Sequence, residues 1–87
     1  MRAVITVVGK DMVGILAGVS GVCAREGVNV LEVTQSILQE FFAMIMLVDI
    51  SKLEMPLTAL QAKLAEANPG MTIHVMHEDI FNSMHRI

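Results

Sequence analysis

The alternation of apolar runs and breakers predicts an α+β domain of order β-α-β-β-α-β. This is the split βαβ arrangement, a four-stranded antiparallel sheet with two helices on one face. Three observations carry the prediction. Strand-like runs recur at Ala3–Val8, Asn29–Leu38, Phe41–Ile50 and Met71–His77. Two segments between them, Val13–Glu26 and Met55–Ala67, have helical spacing. Only Gln39-Glu40 separates the second and third runs, so those two form a hairpin.

Each element has a local reason. Ala3–Val8 is β-branched and reads as a buried strand. Gly9 to Gly14 turns the chain into the first helix, which starts beyond Asp11 or Met12 and stops at Gly27, a C-cap glycine. Asn29–Leu38 alternates in part. Phe41–Ile50 is apolar on both faces, which implies cover on both. Leu57, Leu60, Leu64 and Ala67 give the second helix its stripe, and Pro56 suits its first turn. Asn68-Pro69-Gly70 breaks it. Met71–His77 closes the domain, expected over residues 1–77. Residues 78–87 form an extension, with a short helix expected at Asp79–Met84. The free face of the sheet fits a second subunit or this terminal helix.

Composition excludes several classes. The net charge is −3 with scattered signs, and the aromatics are three Phe with no Trp or Tyr, so nucleic-acid binding has no support. The longest apolar run, Phe41–Val48, falls well short of the ~18–20 residues of a membrane helix. The single cysteine, Cys23, fits a reducing cytoplasm and reads as a core residue. With 54% hydrophobic residues in 87, one small core cannot absorb the excess, so a homo-oligomer is expected.

The most informative stretch runs from Val7 to Val30. A glycine-bearing turn feeding a helix N-terminus offers free backbone N–H groups to a small anion such as a carboxylate. Asp11 is either the N-cap or a counter-ion for a ligand amino group. Asn29 is either a strand-entry residue or a ligand contact. Gly14, Ala17, Gly18 and Gly21 line a small-residue face, which calls for close approach by a neighbouring helix, within the subunit or across a dimer. Leu16, Val19, Val22 and Cys23 then face the sheet. His74, His77 and His85 do not converge on a metal, because His74 and His77 point to opposite sides of a strand. No metal or other cofactor is expected. Lys10, Asp11, Glu32 and Asp49 form no acid/base or nucleophile pattern, so no enzyme is expected.

The run Val8-Gly9-Lys10-Asp11-Met12-Val13-Gly14-Ile15-Leu16, followed by Val19-Ser20 and Gly27-Val28-Asn29-Val30, resembles the ACT domain family over about residues 2–77. It is most similar to short stand-alone bacterial and archaeal members, some of which resemble the regulator of the glycine cleavage system. The resemblance implies ferredoxin-like topology and an allosteric, regulatory module that binds amino acids or similar metabolites. It also implies side-by-side pairing into a continuous eight-stranded sheet, with ligand at the subunit interface. By position, Asp11, Met12, Val13, Gly14, Ile15 and Leu16 would form the turn side of the site. Asn29, Val30 and Leu31 of the neighbouring chain would form the opposing strand. Many members carry arginine where this chain has Met12, so a cationic contact to a carboxylate is missing. The function expected is a homodimeric metabolite sensor acting through a protein partner. The competing expectation is a ligand-free homo-oligomeric interaction module.

Overall fold

A computed structural model of the chain describes residues 1–10 and 14–84. Its elements run β1 (Arg2–Gly9), α1 (Ile15–Arg25), β2 (Asn29–Leu38), β3 (Phe41–Asp49), α2 (Leu57–Ala67), β4 (Thr72–His77) and α3 (Glu78–Met84). The strands form one antiparallel sheet in the order β2-β3-β1-β4. The expected ferredoxin-like arrangement is therefore present.

Register fixes the two faces. Ile5 pairs with Met46 and Val75, and Val7 with Met44 and Ile73, so these side chains share one face. That face carries both long helices. Ile15, Val19, Val22 and Cys23 of α1, with Leu60 and Leu64 of α2, join it in a single core.

Element ends differ from expectation by one or two residues. The helix expected from Val13 begins at Ile15, because Gly14 takes φ 76° and holds the N-cap position. Starting there sets the helical phase. Ile15, Val19, Val22 and Cys23 fall on the core side, and Leu16, expected to face the sheet, is left 45% exposed. The C-terminus of α1 closes as expected on Gly27, at φ 74°. Val28 N–H donates to the Cys23 carbonyl (2.8 Å) and Gly27 N–H to that of Ala24 (3.4 Å), a Schellman arrangement. Pro56 stands at the N-cap of α2, one position before the first turn expected for it.

The hairpin turns at Gln39-Glu40 without glycine. Leu38 pairs with Phe41, and Gln39 takes φ 55°. At the other end of β2 the register slips between Val30 and Glu32, leaving Leu31 unpaired in a bulge.

The free face of the sheet is partly covered by α3. Val4 points away from the two long helices yet is buried. It lies with Leu47, Glu78 and Phe81 around a recess of 230 Å³ between α3 and the strands. An Arg2–Glu78 ion pair at 2.6 Å ties α3 to β1. Ile45 lines the same recess yet stays partly exposed, and Val8 and Phe41 remain exposed on the same face.

Candidate functional site

A groove of about 620 Å³ opens where β1 gives way to α1. One wall is Gly9 and Lys10, then Gly14, Ile15 and Gly18 of the α1 side. The opposite wall is the connection from α2 to β4. That connection is a tight turn. Met71 N–H donates to the Asn68 carbonyl at 3.3 Å, with Pro69 and Gly70 at the centre and Gly70 at φ 87°. Proline followed by a positive-φ glycine is the signature of a type II turn. It turns Met71 back against β1 so closely that a side chain at Gly9 would collide with the Met71 thioether.

The backbone at position 14 favours glycine. Its φ of 76° lies in the left-handed region, and among the described residues nothing stands within 4 Å of where a Cβ would be. Gly14 has no side chain with which to cap α1, and the first-turn N–H groups have no partner within the helix itself. Among the described residues lining the groove, Lys10 is the sole ionisable one. Its ammonium stands over the Phe41 ring, 5.7 Å from the centroid.

The expected site residues divide into three groups. Gly14 and Ile15 line the groove, while Leu16 does not and stands exposed on α1. Asp11, Met12 and Val13 lie outside the described residues, and the N-cap position considered for Asp11 belongs to Gly14. Asn29, Val30 and Leu31 are at the opposite end of the sheet. Asn29 pairs with Asp49, which pairs with Arg2 at the start of β1, whereas the groove adjoins Gly9 at its end. The whole of β1 separates the two places, roughly 23 Å at about 3.3 Å per residue. One chain does not bring the two halves together.

Sequence reasoning missed the α2–β4 wall. Two signals pointed to it: a glycine inside α1 at Gly18, and the Asn68-Pro69-Gly70 turn. A Cβ at Gly18 would run into Asn68 Oδ1, so the close approach expected of the small-residue face is made within the chain. It is absent at Gly21, where a Cβ would meet only the Arg25 side chain at 3.8 Å.

Around Asn29, the chain makes a second, smaller depression with Asp49, Ser51 and Lys52. Hydrogen bonds from the Ser51 hydroxyl and N–H hold the Asp49 carboxyl below its usual range. The backbone bond is 2.8 Å long. A depressed carboxylate stabilises the fold above its unfolded pKa of about 3.9 and loses that contribution as pH falls through the lower folded value. In Ser51→Ala, the Asp49 carboxyl should titrate closer to the ordinary value by carbon-detected NMR, while still accepting the backbone bond.

The remaining candidates are structural. Cys23 is buried, and burial raises its thiol pKa. His74 pairs with Thr6 and His77 with Ala3, on opposite faces of β4, and His85 lies outside the described residues. Among the described residues no cluster of potential metal ligands forms, and no helix is long and apolar enough to cross a membrane.

Known proteins share this architecture. The ACT domain family model matches residues 2–77. A UPF0237 protein of Clostridium perfringens is 51% identical, with 100% of each chain covered. The solved ACT domain protein from Streptococcus pneumoniae is 37% identical with a TM-score of 0.80, covering 98% of each chain. A putative glycine cleavage system transcriptional repressor shares the fold at 22% identity. Its TM-score is 0.67, over 85% of this chain and 43% of that one. The family match spans the turn, the groove and all four strands: this chain belongs to the ACT domain family.

Proposed function

We propose that the protein is a regulatory module that senses an amino acid or similar small carboxylate at an interface between two copies of the chain. ACT domains are in general small-ligand-binding regulatory modules, and the groove beside Gly14 is the observation that carries the reading here. It joins the first-turn N–H groups of a helix, one ammonium and an apolar floor. A carboxylate suits the first two by charge and hydrogen bonding.

The separation of the two expected half-sites supports the dimer. If Asn29, Val30 and Leu31 contribute, they come from a neighbour. The outer edge of β2 is unpaired in the sheet and exposes Leu31, Val33 and Ile37. An exposed edge strand with apolar side chains is a ready template for another strand. Ligand bridging two chains favours the paired state, by no more than its difference in affinity for paired and separated chains. A protein partner then reads that state.

The test is a thermal-shift screen against the amino acids, with light scattering on the same samples. A saturable rise in Tm for one of them, in a dimeric sample, supports sensing. No rise across the panel would leave a ligand-free interaction module. A monomer at micromolar concentration would overturn the shared site.

Gly14→Asn probes the groove itself. Asparagine tolerates the left-handed region better than other side chains, and the space at its Cβ is open. The variant should fold, at a cost of about 1 kcal/mol or less. Its amide would occupy the groove, and binding by calorimetry should weaken about tenfold or more. Wild-type affinity in this variant would place the ligand elsewhere.

A further inference from the structure

Asn68 ends α2, and its amide does two separate things. Nδ2 donates to the Leu64 carbonyl at 2.8 Å. A carbonyl only accepts, so this bond fixes which way the amide points. Oδ1 is thereby directed at Gly18, which has no side chain to obstruct it. Asn68 is 8% exposed, the one buried polar residue among those described. Its Oδ1 accepts no hydrogen bond among the described residues. No fully enclosed side-chain polar atom there lacks a partner. Oδ1 lies against Gly18, and Asn68 and Gly18 both line the groove.

The groove thus has two polar ends of opposite demand. At one end stand Gly14 and the start of α1 with its N–H donors, and Lys10 lines the same groove over Phe41; both call for an anion. Beside Gly18, four helical residues and about 6 Å further along, stands an acceptor with no donor among the described residues. Ile15, Phe41 and Met71 lie among the lining residues as apolar surface.

We propose that Asn68 selects for the ligand's amine: Oδ1 accepts from the ammonium of a zwitterionic α-amino acid whose carboxylate lies at the start of α1. The proposal rests on the groove being the ligand site. An ammonium suits Oδ1 better than a neutral donor, because its bonds are charge-assisted. A carboxylic acid without the amine leaves Oδ1 unpaired. A site built around a hydrogen bond rejects such an analogue strongly.

The test uses the whole chain and calorimetry. Each L-amino acid is compared with its des-amino acid, for example L-leucine with 4-methylpentanoate and L-valine with 3-methylbutanoate. The amino acid that binds should bind about 10- to 100-fold tighter than its des-amino partner. Asn68→Ala and Asn68→Asp both remove the donor to Leu64, so both should lose Tm similarly. Asn68→Asp alone retains an acceptor. It should keep the preference for the amine, whereas Asn68→Ala should bind both compounds within about twofold. That split separates a ligand role from capping of α2, which would treat the two variants alike. Equal binding of amine and des-amine by the wild type overturns the proposal while the groove stands, and that comparison needs no variant to fold. Retention of the preference by Asn68→Ala does the same. Binding of neither class overturns both the groove and the role of Asn68.

Discussion

Met46→Ala should lower the unfolding free energy by about 2–5 kcal/mol, the range for truncating a buried large side chain. Met46 is fully buried at the centre of the sheet, between Val33 of β2 and Ile5 of β1. Removing it takes away the transfer energy of the lost atoms and leaves a cavity beneath the helices. Domains of this size hold about 0.05–0.15 kcal/mol per residue, so the loss is a large fraction of the total. The urea midpoint should fall by about 1 M or more. Met84→Ala, at a side chain that is 64% exposed, should change stability by no more than about 0.5 kcal/mol. Similar midpoints for the two variants would show that the core is not where the register places it.

The double variant Val33→Lys/Ile37→Lys should separate the proposed dimer while leaving each chain folded. Both side chains are exposed in the single chain, at 38% and 62%. Within the chain the cost should therefore be small, about 0.5 kcal/mol per site. Across a strand pair, the same changes set unpaired ammonium groups where apolar side chains met. A penalty of about 3 kcal/mol would weaken association about 150-fold. Light scattering should show a monomer, with the far-ultraviolet circular dichroism of the wild type. If ligand requires Asn29, Val30 and Leu31 of a neighbour, amino-acid binding should be lost with the dimer. Full ligand affinity in a folded monomer would assign the whole site to one chain.

The sequence made the elements and their order readable because breakers and periods agreed. Gln39-Glu40 stood between two apolar runs too close for anything but a hairpin, and Asn68-Pro69-Gly70 ended a clear leucine stripe. The helix phase was harder. Ile15 and Leu16 are both apolar, and a stripe through Val19, Val22 and Cys23 accepts either. Only the backbone conformation of Gly14 decides between them, and side-chain periodicity carries no record of it. The candidate site was half legible for a related reason. Gly14 and Ile15 lie in a contiguous motif, whereas Asn68 and Met71 reach the groove only through the pairing of β1 with β4. Gly18 was the one sign of that contact within α1. A glycine inside a helix costs about 1 kcal/mol relative to alanine, and here it makes room for an amide from the far side of the chain.

The strand order also governs how the protein comes to be folded. β1 is the first strand synthesised, yet it lies inside the sheet between β3 and β4. The β2–β3 hairpin can close locally within microseconds, but the partners of Ile5 are Met46 and Val75. Until β4 leaves the ribosome, one edge of an apolar central strand has nothing to pair with. Completion of the sheet therefore awaits the synthesis of β4, and the nascent chain passes through an interval in which that edge is open to chaperones or to other copies of itself.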